Sequence, residues 1–309
     1  MFRLVGLLIA FAFFNESGTS FKEGSNSGII LADSVEIDLH QVFDSLGLLN
    51  GYKAHIFTPI CEKDKCYAVE INFSWDVIGR FVRYDTIPGQ ELTKLDHDPF
   101  TSLDYIKFQS ILSNPNSVLS KYTKDNLVKD TRTSEVDGVT GATIQEVKDN
   151  VIEGAVYSCY ALWHIANGAV VDSIQTSTIK LFDKGLVRKL VRQKDQQINY
   201  FLINNFSEKD FESYLPEVLE TIENSKGYYA KNALEKMSVK AVEDSLSQSF
   251  FAQRFSQMNY FSQIALLKKL TPGSLYKDMA IVLKENITDR KSYKNDLIRS
   301  LIKKQLGTN

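Results

Sequence analysis

The C-terminal half of the chain repeats itself, and this constrains the fold more than any other feature. The segments NYFLINNFSEKDFESYL from Asn199, GYYAKNALEKMSVKAVEDSL from Gly227 and NYFSQIALLKKLTPGSLYKDM from Asn259 share one pattern. Each opens on an aromatic-led amphipathic helix, passes a Ser or Thr (Ser207, Ser238, Thr271), and starts a second helix whose first turns end on Leu215, Leu246 or Met279. A period of roughly 30 residues lies in the range of helical solenoid units. Ser207 with Asp210, and Thr271 before Pro272, read as helix starts. From about residue 180 strand-like runs vanish, so residues 180–309 are expected to form an all-α, HEAT-like helical repeat domain. On the residues alone, an ordinary helical bundle satisfies the same pattern.

The N-terminal half reads differently. Residues 36–50, EIDLHQVFDSLGLLN, suggest a short helix stopping near Gly51. In KCYAVEINFSWDVIGRFVRYDT, Tyr67, Val69, Ile71 and Phe73 alternate on one face, a turn falls at Trp75 to Gly79, and Phe81 to Tyr84 return, which predicts a hairpin. Thr101, with Asp104 three positions on, predicts a capped helix carrying Tyr105, Phe108, Ile111 and Leu112 inward and ending before Pro115. Ile144, Val147, Val151, Val156, Cys159 and Trp163 recur at helical spacing and predict one long helix over 144–166, stopped at Asn167-Gly168. The expected fold class is α+β: a small domain over 36–170, with hairpin or sheet plus helices, then the helical repeats.

The first residues are set apart. Arg3 precedes an unbroken apolar run from Leu4 to Phe14, the length of a signal-peptide core and short for a membrane span. Small residues follow at Ser17, Gly18, Thr19 and Ser20. Residues 1–20 are therefore expected to be a signal peptide, with an uncleaved membrane anchor or a buried N-terminal strand as the alternatives, and the Ser-, Gly- and Asn-rich residues 21–35 a linker. The expected location is periplasmic or extracellular. In a secreted chain Cys61 and Cys66, in CEKDKC, are disulfide candidates, while Cys159 falls in an apolar helical stretch. The formal net charge is −2 and the pI about 6.1. No global basic field exists to recruit nucleic acid.

The stretch EVDGVTGATIQEVKDNV, from Glu135 to Val151, turns from small and flexible to helical. A helix N-terminus exposes unpaired N–H groups and partial positive charge, an anion site in waiting. Gly141 and Ala142 let a ligand approach the main chain, Thr140 and Thr143 add hydroxyls, and Asp137 is placed to cap the loop. An Asx-turn followed by a Thr-capped helix, with no ligand, fits the same residues. The pattern Asp-x-x-Ser/Thr-Gly-Ala-Thr, filled by Asp137, Thr140, Gly141, Ala142 and Thr143, resembles the signature of FMN-binding domains in extracytoplasmic redox proteins. These include the covalent-flavin subunits of the sodium-pumping NADH:quinone reductase and of Rnf-type complexes. The resemblance covers roughly residues 60–170. It departs at Gln145, where the family usually carries Ser or Thr. It implies FMN esterified to Thr143 by a flavin transferase, and electron exchange with a redox partner protein or small electron carrier. Trp75, Tyr84, Phe100, Tyr105 and Trp163 are then candidate ring contacts.

The expected function is that of an extracytoplasmic, flavoprotein-like electron-transfer component. The alternative is a non-catalytic exported interaction or scaffold protein, whose helical repeats bind a protein partner and whose first domain has lost flavin. A third idea is a hydrolase using His97, which KLDHDPF places between Asp96 and Asp98 near Lys94. His164 reads as a helix-end cation, and His40 and His55 have no partner visible in sequence.

Overall fold

The computed structural model describes residues 22–23, 28–32, 35–62, 65–94, 97–129, 142–143, 145–288 and 290–303. The fold is α+β: an antiparallel sheet lies on the N-terminal side and helices follow. The chain divides into two compact units, Met1–Gln175 and Thr176–Asn309.

In the first unit six strands form one antiparallel sheet: β1 (Lys22–Glu23), β2 (Gly28–Ala32), β3 (Val35–Phe43), β4 (Leu49–Glu62), β5 (Lys65–Trp75) and β6 (Phe81–Thr86). The order is β1-β3-β4-β5-β6, with β2 also paired to β3. The expected hairpin is β5–β6, and the turn between them is closed by Asp76, whose Oδ1 accepts from the N–H groups of Ile78 and Arg80. Two expectations are corrected. Residues 36–50 begin with a strand, and the stretch expected to be linker supplies β1 and β2. The cause is period two. Ile37 and Leu39 are buried while Asp38 is exposed, and along β4 Tyr52, Ala54, Ile56, Thr58 and Ile60 are buried while Lys53, His55, Phe57 and Pro59 face water.

One face of this sheet is covered by helices. The first, α1 (Ser102–Leu112), carries the expected capping box of Thr101 and Asp104. It buries Phe108, Ile111 and Leu112 and packs on β6 and on α3 (Val156–Asn167). The expected long helix is broken. A single turn, α2 (Gln145–Lys148), is followed by a loop, and helix resumes only at α3. Gly154 sits at φ +77°, a left-handed conformation that interrupts helical hydrogen bonding. The loop still buries Val151 and Ile152. After Gly168 the chain re-enters helix as α4 (Ala169–Lys180).

The second unit contains α5 (Lys184–Arg192), α6 (Gln196–Asn205), α7 (Glu208–Ser213), α8 (Leu215–Asn224), α9 (Tyr228–Lys236), α10 (Val239–Glu243), α11 (Ser245–Arg254), α12 (Tyr260–Lys269), α13 (Lys277–Glu285) and α14 (Tyr293–Lys303). Neighbours pack in two rows: α6, α9, α12 and α14 in one, and α5, α8, α11 and α13 in the other. Ser207 and Ser238 cap the short connecting helices α7 and α10. Thr271 does not start a helix. Pro272 and Gly273, the latter at φ +99°, form a turn in place of a third connecting helix, and α13 begins at Lys277. Side-chain links between successive pairs keep the sequence period: Arg188 to Glu217, Lys240 to Glu212 and Arg254 to Glu223 join residues 29, 28 and 31 apart.

Each first-row helix also buries an amide side chain: Asn199, Asn232, Gln263 and Asn295. The Gln263 Nε2 donates to the Phe255 carbonyl at 2.7 Å. The Asn295 Nδ2 donates to the carbonyls of Thr288 at 2.8 Å and Arg290 at 2.6 Å. We expect Asn295→Leu to lower stability by about 3 kcal/mol, because it keeps the branched shape but strands these buried carbonyls. Urea unfolding of the purified chain measures the loss.

Candidate functional site

Of the flavin-type motif, Asp137, Thr140 and Gly141 lie outside the described residues. Ala142 and Thr143 form a two-residue strand, β8 (Ala142–Thr143), paired with β7 (Val128–Lys129) in the register Val128↔Thr143 and Lys129↔Ala142. The helix after Thr143 is the single turn α2, so the long helix dipole expected behind the motif is not there. On α2, the Glu146 carboxylate accepts a hydrogen bond from the Tyr122 hydroxyl at 2.9 Å.

The expected ring contacts are committed to packing. Trp75 is 2% exposed, lies edge-on to Phe73 and Phe81, and donates its Nε1 proton to the Ala166 carbonyl at 2.8 Å. Trp163 is 3% exposed and donates to the Asn114 carbonyl at 2.8 Å. Phe100 is buried against Tyr105 and Phe108. Tyr84, whose hydroxyl burial pushes up to about 12, donates to the Tyr105 carbonyl, and the Tyr105 hydroxyl accepts from the Leu92 N–H. Trp75, Phe100 and Trp163 are thus held in the core, and Tyr84 and Tyr105 are tied by their hydroxyls to the backbone around α1.

Asp96 also lies outside the described residues. His97 is exposed, at φ +65°, in a turn where its N–H donates to the Lys94 carbonyl. The Lys94 ammonium reaches the Asp104 carboxylate at 2.8 Å instead of the histidine. No group of three or more His, Cys, Asp or Glu side chains is placed to hold a metal among the described residues. Sequence missed the partners of the other histidines. His40 lies 3.2 Å from Asp38, and His55 lies 3.2 Å from Glu70 across the β4–β5 ladder, all at positions accessible to water. The Cys66 sulfur is in a disulfide. Cys61 stands opposite Cys66 in the strand register. Cys159 is free and fully buried, and desolvation pushes its thiol up to about 12, which suppresses the thiolate. No helix of the described residues is long and apolar enough to cross a membrane.

The second unit offers a surface that the sequence reading did not single out. Each first-row helix exposes a tyrosine: Tyr200 on α6, and Tyr228, Tyr260 and Tyr293 as the first residues of α9, α12 and α14. Phe261, beside Tyr260, is 67% exposed. Tyr200 and Tyr228 lie 6.2 Å apart between ring centres and share a hydroxyl hydrogen bond that raises the Tyr228 pKa. The Lys268 ammonium stands over the Tyr293 ring at 5.6 Å. Residues 176–309 hold 22 Lys and Arg against 15 Asp and Glu, whereas residues 1–175 hold 14 against 23. The aromatic surface thus belongs to the basic half of the chain. Comparison with known proteins gives no matching family model, no matching curated protein and no matching solved structure.

One electrostatic feature of the first unit has a measurable pH signature. The Asp104 carboxyl is held down to about 2, first by the hydrogen bond from Lys94 and then by that from Thr101. A depressed carboxyl stabilises the fold above its unfolded pKa of about 4 and loses that contribution as pH falls toward 2. Asp104→Asn is expected to lower stability at pH 7 by about 1 kcal/mol, the size of a lost helix cap. The gap to the parent should close between about pH 4 and pH 2 in denaturant titrations.

Proposed function

We propose that this chain is an exported, non-catalytic interaction protein whose HEAT-like helical stack docks an acidic segment of a partner protein. The observation that carries the reading is the ring exposed on every first-row helix of a unit with excess positive charge. Tyrosine supplies large contact area at low entropic cost and is enriched where interfaces hold most of their binding energy. The basic surroundings favour acidic partners and speed their encounter. The expected occupant is an extended or helical protein segment carrying Asp or Glu between apolar residues.

A second reading is favoured by the motif from Asp137 to Thr143: FMN esterified to Thr143, with electrons exchanged with another protein or a small carrier. It shares the exported location, but the described aromatic side chains lend it no support.

Photo-crosslinking from position 261 in the exported chain, followed by identification of the adduct, tests the first reading. Tyr228→Ser and Phe261→Ser are each expected to weaken capture of that partner at least tenfold without lowering the melting temperature, since both rings lie at the surface. Nucleic acid in the adduct, or undiminished capture by both variants, would sink the proposal. Intact mass after co-expression with a flavin transferase decides the second reading. An unmodified Thr143 peptide is expected, and an increment of FMN less water on that peptide would establish the flavin instead.

A further inference from the structure

A cavity of about 370 Å³ lies in the second unit, between the end of α8, the start of α9, the end of α11 and the start of α12. It falls within the surface that carries the tyrosines. Gly227 and Asn259 line it, and they are the residues immediately before Tyr228 and Tyr260. α9 and α12 run side by side in the same direction: their starts share this cavity, and near their ends Lys269 donates to the Met237 carbonyl at 3.0 Å. Two helix starts, each with an exposed aromatic side chain, thus bracket the cavity. At Gly227 no atom beyond its chain neighbours lies within 4 Å of the place where a side chain would begin, so the mouth is open on that side.

The lining specifies what enters. Ile222, Ala230, Phe250 and Met258 supply apolar surface, and of these Phe250 and Met258 are only half-buried. A methionine side chain adapts its shape to what it meets, which suits a socket. Arg254 brings no uncompensated charge to the wall: Glu223 holds it at 2.7 Å, and it lies over the Phe250 ring at 4.1 Å. The interior therefore favours an apolar group. The rim differs, because Lys226 is exposed there, in a unit that holds 22 Lys and Arg against 15 Asp and Glu. A volume of about 370 Å³ is near the small end of ligand pockets, which run from about 300 to 1,000 Å³, and it accommodates one large side chain with the main chain beside it.

We infer that this cavity is the anchor socket of the docking surface: the acidic partner segment inserts one large apolar side chain, of leucine or phenylalanine size, between the starts of α9 and α12, and keeps its flanking Asp or Glu residues at the rim. The inference rests on the docking reading and adds to it the position and chemistry of the anchor. Interfaces concentrate their binding energy where an anchor fills a desolvated pocket and weaker contacts around it exclude water. Tyr228 and Tyr260, with Phe261 beside it, supply that enclosure. The acids of the segment stay in water, where burial does not penalise their charge, within reach of the basic rim.

The test uses the full mature chain and isothermal titration with three acetylated and amidated probe peptides, in which Leu, Phe or Ser is flanked on each side by Asp-Glu-Asp. The Leu and Phe peptides are expected to bind at least tenfold more tightly than the Ser peptide. Ala230→Leu places a larger side chain in the cavity. It is expected to abolish that preference while the ligand-free melting temperature stays unchanged or rises. Met258→Ser removes apolar lining at a half-buried position, is expected to cut the preference about threefold, and serves in place of Ala230→Leu should that variant fail to fold. Equal affinity of the parent for the three peptides, a preference undiminished in the variant, or no saturable binding by any peptide overturns the inference. The docking reading is judged separately, by the crosslink from position 261.

Discussion

The helical unit depends on what its buried amides hold. Apolar contact between helices is non-directional, and two stacked helix pairs held by it alone could slip by a turn at little cost. An amide taken out of water tolerates no such slip, because it must find its acceptor or forfeit the hydrogen bond. Gln263 finds the Phe255 carbonyl beyond the last turn of α11, and Asn295 finds the carbonyls of the loop that follows α13. These two amides therefore fix α12 and α14 to the ends of the segments that precede them. The ion pairs that follow the same period, such as Lys240 with Glu212, are exposed and add little energy.

The first unit meets a related requirement in another way. An antiparallel sheet with one wet face must cover the other, and the covering helices end in carbonyls with no partner inside the helix. Here the side chains that fill the core also serve those carbonyls. The Trp75 indole closes on Ala166 in the last turn of α3. Trp163 does the same for Asn114, and Asn167 donates to Leu112 at the end of α1. The large residues that exclude water thus also supply the hydrogen bonds that water would have made. This is why Trp75 and Trp163 are poor candidates to face a ligand.

What was legible in the sequence follows range. The β5–β6 hairpin and the capping box of α1 are specified within a few residues, and both were readable. The strand at Val35–Phe43 was not, since a short apolar run fits a helix or a strand until its partner is known, and the alternation of β4 settles the matter. The long helix failed because the chain leaves it after Lys148 and resumes it only at Val156, beyond Gly154, whose positive φ no periodicity reveals. The candidate site was hardest to read. Phe100 and Phe261 look alike in a sequence, yet one is sealed between α1 and the loop before it, and the other stands in water. The tyrosines of the second unit gained meaning only once the helix starts were known, because three of them occupy the same position on successive helices.

That shared position distinguishes them from ordinary surface apolar residues, which occur singly on any protein. A repeat must copy its core positions, because each pair packs against the next through them. It has no such need to copy a position that faces water. The buried apolar positions recur because successive helix pairs pack through them, but nothing in the packing requires a ring at Tyr260 or Tyr293, both about half exposed. Cation contact with Lys268 orders Tyr293, and the hydroxyl pair orders Tyr200 and Tyr228, without burying them. A ring held in place and left in water has lost part of its conformational freedom before any partner arrives. It therefore has less left to lose on binding. The recurring surface is thus pre-organised for contact in a way that the internal requirements of the stack do not explain.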